Sequence, residues 1–177
     1  FYAPGYFCDY PPAYLYLLSL VGLIRKGLAL SFDSPFTLIL VKLPPILADI
    51  LTAWLLFKLA QKRLGEKPAL WVALAYAFNP AIFIDSTAWG QVDSWLALLL
   101  VLTLFAFSEG RYEAGAALYA ASVLFKPQAL ILAPLCLFIF CRRSALKRIP
   151  LSLLSFFATV LLLLLPFSLH RGFQWIV

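Results

Sequence analysis

Ionisable side chains interrupt the apolar stretches of this chain at a few positions, and these residues could carry chemistry. They are Asp9, Lys42, Asp49, Asp85, Asp93 and Lys126. Burying an ionised group in lipid is expensive, so an ionisable residue at membrane depth indicates function unless a partner or water stabilises it. We therefore expect these side chains to line a polar cavity that opens to the outer side of a membrane.

Lys126 carries the sharpest signal, because it stands in the middle of an apolar block and is followed by Pro127 and Gln128. In one continuous membrane helix, a lysine in lipid followed by a proline would be costly. We expect the helix to break at this point, with water or an anion beside the lysine.

Simpler interpretations remain open for the other residues. Asp93 could cap the helix that follows it, and Asp85 could be an ordinary interfacial charge. Trp89 could be an aromatic anchor at the membrane surface. Lys42 and Asp49 share one face of a helix but lie about 10 Å apart along it. They therefore need separate partners or water, unless Lys42 extends outward to the interface.

Composition defines the protein class. Of the 177 residues, 64% are hydrophobic and only 12% are charged, and the mean hydropathy is +0.94. An ordinary soluble domain is about half apolar and a quarter charged, so a polytopic membrane protein is indicated.

The net charge of +6 comes from basic clusters between apolar blocks. The positions of basic loops in a membrane protein explain these clusters, so they do not indicate nucleic-acid binding. A single histidine and three scattered cysteines predict no metal site and no disulfide framework.

The apolar blocks predict an all-α transmembrane helix bundle, with an outer interfacial helix and short broken helices around an outward-facing cavity. The predicted membrane helices are residues 36–57, 69–84, 94–108, 114–125, 129–140 and 151–169. Residues 11–30 are predicted to lie along the interface, because tyrosines begin the segment and Arg25-Lys26 ends it.

The basic clusters predict the orientation of the helices. If residues 58–67, 108–113 and 142–148 are cytoplasmic, most of the basic residues lie inside, as the positive-inside rule requires. Residues 85–93 then face outward. The alternative is that residues 11–30 cross the membrane, which would reverse every later segment.

Five short motifs in order carry a family resemblance. They are Asp9-Tyr10-Pro11-Pro12, Leu47-Ala48-Asp49, Asn79-Pro80, Trp89-Gly90-Gln91-Val92-Asp93-Ser94 and Lys126-Pro127-Gln128. Together they resemble the GT-C superfamily of integral-membrane glycosyltransferases. The pattern is similar to bacterial mannosyltransferases related to the second GPI mannosyltransferase, and to the dolichyl-phosphate-glucose-dependent glucosyltransferases.

The resemblance implies transfer of a hexose, mannose or glucose, from a polyprenyl-phosphate donor to a lipid-linked or glycan acceptor on the outer or luminal face. It implies that residues 1–177 are part of a longer domain, with an outer loop at 1–35 and membrane helices at 36–169. In that superfamily the catalytic aspartate lies early in the first outer loop, so the base is expected upstream of Phe1. No cofactor or metal is implied.

The resemblance also assigns roles to the polar residues of this chain. Lys126 and Gln128 would bind the donor phosphate. The sugar and acceptor cavity would be lined by Asp9, Tyr10, Asp49, Asp85, Trp89, Gln91 and Asp93. A bacterial plasma membrane is the expected location, with the endoplasmic reticulum as the alternative.

Two further functions fit the same pattern. A transporter for a polar or anionic solute also uses broken helices and mid-membrane charges, although no inverted repeat is visible. A non-catalytic scaffold of a larger membrane complex would not need residues 89–94 and 126–128 to face one cavity.

Overall fold

The computed structural model describes residues 10–141 and 146–168, and within these ranges it contains helices and no strand. The all-α prediction is confirmed. The helices are α1 (Pro12–Gly27), α2 (Pro35–Leu64), α3 (Glu66–Ala77), α4 (Pro80–Phe83), a π-helical segment (Ile84–Trp89), α5 (Asp93–Ser108), α6 (Tyr112–Phe125), a 3-10 segment (Pro127–Leu132), α7 (Ala133–Phe140) and α8 (Ile149–Ser168).

These helices form two compact units, which are described separately. One unit comprises Leu20–Val101, and the other comprises Phe1–Ser19 together with Leu102–Val177. We refer to them as the central unit and the terminal unit.

The long helix of the central unit is α2, and it confirms the predicted span at 36–57. The Ser34 side chain accepts a hydrogen bond from the Phe36 amide and caps the helix, which then continues for 30 residues. It passes through Pro44 and Pro45 without ending. Prolines are tolerated in membrane helices where neighbouring groups satisfy the freed backbone carbonyls.

The predicted single helix at 69–84 is wrong. Helix α3 ends at Ala77, and Asn79 starts α4 by accepting a hydrogen bond from the Ala81 amide at 3.0 Å. Pro80 follows as the first helical residue, where its missing N–H costs nothing. Residues 85–89, expected as a loop, instead form most of the π-helical segment.

The break at Lys126 is confirmed. Lys126 adopts an extended conformation (φ −155°, ψ 125°) between α6 and the 3-10 segment. The predicted helix at 129–140 is wrong in its first part, because residues Pro127–Leu132 form a 3-10 helix and α-helical geometry begins at Ala133. Proline cannot donate the hydrogen bond that regular helix would require at this point.

In the terminal unit, α6 packs against α8 along its length. Arg148 and Glu113 form an ion pair at 3.0 Å where the two helices begin. The Ser155 hydroxyl donates to the Glu113 carbonyl at 2.9 Å, which joins the same turns. The predicted span at 151–169 is confirmed as α8, apart from Leu169, which lies outside the described residues.

Within the described ranges, α2 and α8 are long and apolar enough to cross a membrane. The pair Glu66–Ala77 and Pro80–Trp89, bent by 46°, could form a third, broken span. The chain is therefore a multi-pass membrane protein. The interfacial position of α1, the sidedness of the basic clusters and the loop boundary at residue 35 stay predictions, and residues 142–145 of one cluster lie outside the described residues.

Gly115 on α6 gives a stability prediction. A Cβ atom at this position would lie 2.5 Å from two ring atoms of Phe107. Alanine normally favours a helix over glycine by about 1 kcal/mol, but here the ring would have to move, and overpacking typically costs about 1–3 kcal/mol. We expect Gly115→Ala to lower the melting temperature of the purified protein. An unchanged or higher melting temperature would show that the Phe107 ring adjusts freely.

Candidate functional site: a pocket with three carboxylates

A pocket of about 310 Å³ in the central unit brings three acidic side chains to one place. Its polar lining consists of Asp49, Tyr76, Asp85, Asp93 and Ser94. These residues come from α2, α3, the π-helical segment and α5, and the short helix α4 completes the wall. We call this the carboxylate pocket.

Asp49 lies halfway along α2 and is only partly satisfied. Its Oδ1 accepts a hydrogen bond from the Tyr76 hydroxyl at 3.1 Å. Its Oδ2 is buried and has no hydrogen-bond partner among the described residues. A buried polar atom without a partner carries a substantial desolvation cost. The geometry therefore leaves one strong acceptor at the pocket for a donor from a ligand.

Asp85 is held by the unusual geometry of the π-helical segment. Its backbone carbonyl accepts hydrogen bonds from the amides of both Gly90 and Gln91. The buried hydroxyl of Ser86 donates to the Ile82 carbonyl at 3.1 Å, and Thr87 donates to the Phe83 carbonyl. π-helical turns are rare and frequently occur at functional sites.

Lys42 ties this segment to α2. Its Nζ donates to the carbonyls of Thr87 at 2.8 Å and Ala88 at 3.0 Å. These carbonyls lie at the end of the segment, where a positive charge is favourable. As expected, Lys42 and Asp49 have separate partners.

Gly90 allows this contact and ends the π-helical segment. Its φ of +74° is in the left-handed region, which favours glycine. A Cβ atom here would lie 3.1 Å from Cγ of Lys42. Glycine is therefore favoured at position 90 for two reasons. It adopts the left-handed backbone conformation without strain, and its lack of a Cβ atom leaves room for the Lys42 side chain.

Asp93 is the first residue of α5, so the helix begins one residue earlier than predicted. A carboxylate in the first turn interacts favourably with the positive end of the helix. The next residue, Ser94, is 4% exposed and also lines the pocket. Asp93 can therefore stabilise the start of α5 and line the pocket at the same time.

The chemistry of the pocket follows from its charge. Three carboxylates line it, and its lining residues include no lysine, arginine or histidine. Such a site attracts hydroxyl, amide or ammonium donors and repels phosphate. Within the described ranges, no group of three or more histidine, cysteine, aspartate or glutamate side chains is arranged to hold a metal ion.

The structure brings together only part of the predicted cavity. Asp49, Asp85 and Asp93 share the carboxylate pocket, but Trp89 is 74% exposed and neither it nor Gln91 lines this pocket. In the same segment, Ser86 is the buried residue.

Of the remaining predicted residues, Tyr10, Lys126 and Gln128 lie in the terminal unit. Asp9 is outside the described residues. Lys126 is half-buried at the helix break, and Gln128 is exposed on the 3-10 segment. Their role toward a donor phosphate stays a prediction.

An aromatic cluster adjoins this break. The rings of Tyr10 and Tyr14 lie 4.7 Å apart, and Tyr14 contacts Phe125 edge-on at 5.7 Å. Burial, with a smaller contribution from Tyr10, raises the pKa of Tyr14 to about 12. Its hydroxyl therefore stays protonated at physiological pH and can serve as a hydrogen-bond donor.

Sequence reasoning missed two members of the site. Tyr76 was counted as part of an apolar block, and no local pattern distinguishes it from a packing tyrosine. Lys42 was recognised as unusual but was given no role, because its partners lie about 45 residues further along the chain. The glycine at position 90 was the available signal, since it can mark the close approach of another group.

Comparison with known proteins shows which family the chain belongs to. Over 96 residues the chain is 31% identical to GPI mannosyltransferase 1 of Saccharomyces cerevisiae. The alignment covers 54% of this chain and 24% of the yeast protein, so the chain spans about a quarter of that relative. No solved structure matches. Residues 1–176 match the family model described as GPI transamidase subunit PIG-U, and the chain therefore belongs to the PIG-U family.

Proposed function

We propose that this chain is the glycan-binding part of a GPI transamidase subunit in the endoplasmic reticulum membrane. A glycosylphosphatidylinositol (GPI) carries sugars, a phosphate and lipid chains. In this proposal the carboxylate pocket holds the hydroxyl-bearing sugars of the GPI molecule. The family description and the name of the yeast relative have the GPI molecule in common, which supports this choice of ligand.

The choice of the endoplasmic reticulum membrane rests on the same comparisons. Both named proteins act on GPI, and the relative is from yeast. The expectation of a bacterial plasma membrane, and of bacterial mannosyltransferases as the nearest family, has no support in these matches. The alternative of a scaffold in a larger complex agrees with a subunit role.

The observation that carries the proposal is the unpartnered Oδ2 of Asp49. Asp85 and Asp93 line the same pocket, so a sugar held there would lie beside three carboxylates. A hydrogen bond to a charged group contributes about 1.5–3 kcal/mol. Two such bonds would give a sugar measurable affinity even in a shallow site.

Substitution of Asp49 tests the proposal. Asp49→Asn keeps the shape of the side chain and removes its charge. We expect it to weaken binding of a GPI glycolipid to the full-length protein by about 10- to 100-fold, the equivalent of one or two charge-assisted hydrogen bonds. Native mass spectrometry of the protein in detergent would measure the bound fraction.

Asp33→Asn is the matched control, because Asp33 is an exposed carboxylate of the same unit that does not line the pocket. We expect this variant to bind like the parent protein. Parental affinity in Asp49→Asn, and in Asp49→Asn combined with Asp85→Asn, would overturn the proposal.

Mannosyl transfer is the second candidate function, and the alignment with GPI mannosyltransferase 1 supports it. A carboxylate beside a bound sugar could accept the proton of the attacking hydroxyl. The donor would be a polyprenyl-phosphate mannose, with Lys126 and Gln128 at its phosphate. Incubating the full-length protein with this donor and a GPI acceptor separates the candidates. A subunit that only binds predicts no mannosylated product.

A further inference from the structure

The terminal unit contains a second cavity, of about 380 Å³, which shares no residue with the carboxylate pocket. Residues of α6, α7 and α8 line it, and the lining is almost entirely apolar. Along α8 the lining extends from Ile149 to Phe157, a distance of about 12 Å. We call this the apolar cleft. Apolar cavities do not hold ordered water, so hydrocarbon is the ligand chemistry that this cleft favours.

Ring contacts locate one end of the apolar cleft. The rings of Phe107, Tyr112 and Phe140 lie 5.6 to 6.4 Å apart in pairs, and they join the end of α5, the start of α6 and the end of α7. Phe107 and Phe140 line the cleft. The ion pair of Arg148 with Glu113 brings the start of α8 to the same place. The cleft therefore reaches the end of the unit where these four helix termini meet.

The connections at this end are basic. Residues 108–113 and 142–148 together carry five basic and two acidic side chains. Among those that the structure describes, Arg111, Lys147 and Arg148 are exposed. Arg148 is paired with Glu113, whereas no hydrogen bond or ion pair within the described ranges engages the side chains of Arg111 and Lys147. Two cations beside the cleft are therefore available to an anion.

A buried hydroxyl lies between the basic end and the apolar remainder of the cleft. Ser152 lines the cleft, is 2% exposed, and its Oγ has no hydrogen-bond partner among the described residues. Its amide donates to the Arg148 carbonyl at 2.9 Å, so Ser152 lies one helical turn from that basic residue. An unsatisfied buried hydroxyl is costly and indicates a polar ligand atom at this depth. Phospholipids carry ester carbonyls between the phosphate and the acyl chains, and these can accept a hydrogen bond from a serine.

We propose that the apolar cleft binds one anionic phospholipid, with an acyl chain in the cleft and the phosphate beside Arg111 and Lys147. Charge complementarity favours the anionic headgroup, and the apolar lining favours the chain. Residues 108–113 and 142–148 are predicted to be cytoplasmic, and the cytoplasmic leaflet is the one that carries anionic lipids. This site is additional to the proposed GPI site and does not depend on it.

Native mass spectrometry of the full-length protein in detergent tests the proposal. Phosphatidylserine and phosphatidylcholine with the same oleoyl chains are added in equal amounts. We expect phosphatidylserine to bind about 20-fold more tightly, the effect of two basic side chains beside an anionic lipid. Glycerophosphoserine, which has the headgroup but no acyl chain, should not displace it.

Neutral variants test the two cations. Arg111→Gln and Lys147→Gln should each weaken phosphatidylserine binding by about fivefold and leave phosphatidylcholine binding unchanged. Lys67→Gln is the matched control, because Lys67 is an exposed lysine of the central unit that is predicted to lie on the same side of the membrane. This variant should bind phosphatidylserine like the parent protein. So should Asp49→Asn, because the carboxylate pocket is a separate site.

A larger side chain tests the position of the acyl chain. Ala133 lines the apolar cleft, so Ala133→Phe should fill part of it and weaken binding of both phospholipids by about tenfold. Ala158→Phe is the control, since Ala158 is an exposed residue of α8 that does not line the cleft. An unchanged melting temperature in lipid-free detergent would show that each variant is folded.

Four results would overturn the proposal. Equal binding of the two phospholipids would remove the role of charge, and displacement by glycerophosphoserine would remove the role of the acyl chain. The same loss in Lys67→Gln as in Arg111→Gln would indicate a diffuse surface attraction instead of a site. Parental binding in folded Ala133→Phe would place the lipid outside the apolar cleft.

Discussion

Replacing Lys42 by methionine should reduce GPI binding by on the order of 10². Methionine keeps most of the apolar length of the side chain, but the hydrogen bonds to the carbonyls of Thr87 and Ala88 are lost. Two charge-assisted hydrogen bonds of about 1.5 kcal/mol each correspond to roughly that factor. Because Lys42 does not line the pocket, we expect it to act indirectly, by holding the π-helical segment that carries Asp85.

Hydrogen exchange separates this role from general destabilisation. In Lys42→Met, the backbone amides of the π-helical segment should exchange faster, while those of α6 and α8 should not change. Lys58→Met is the control, because Lys58 is an exposed residue of the same helix. Parental GPI binding together with unchanged exchange at residues 84–89 would show that the segment does not need Lys42.

Replacing Lys126 by alanine should lower mannosyl transfer by on the order of 10², if the second candidate function holds. A lysine beside the leaving phosphate stabilises charge that develops in the transition state. The structure places Lys126 half-buried at a helix break, which agrees with a functional lysine. Lys126→Arg should restore only part of the activity, because a planar guanidinium does not replace a compact ammonium.

The measurement is the rate of product formation from polyprenyl-phosphate mannose by the full-length protein. Lys67→Ala, at an exposed lysine of α3, should transfer sugar at the parental rate. If Lys126→Ala folds, binds the donor normally and turns over like the parent protein, Lys126 has a structural role only.

Hydropathy predicted the long helices well, because α2 and α8 each carry enough apolar residues to span a membrane. The Lys-Pro pair at residue 126 predicted the helix break for a local reason, the missing N–H of proline. The break at Asn79 was missed because residues 69–84 carry no charge and are apolar over most of their length. The Asn-Pro pair was nevertheless a usable signal, since asparagine caps helices and proline favours their first position.

The candidate site was predicted in its charges but not in its geometry. Asp49, Asp85 and Asp93 were assigned to one cavity because each is costly to bury in lipid. The π-helical segment has no sequence pattern of its own, so the exposure of Trp89 and the hydrogen bonds of Lys42 to this segment could not be derived. Both depend on tertiary contacts between α2 and residues 84–90.

Crosslinking tests most directly whether the carboxylate pocket holds the sugars of GPI. A GPI analogue with a photoreactive group on one sugar would be bound to the full-length protein, irradiated and mapped by peptide mass spectrometry. The account predicts crosslinks within residues 76–97, and their loss in Asp49→Asn but not in Asp33→Asn. Crosslinks confined to other segments, with the same yield in Asp49→Asn, would contradict it.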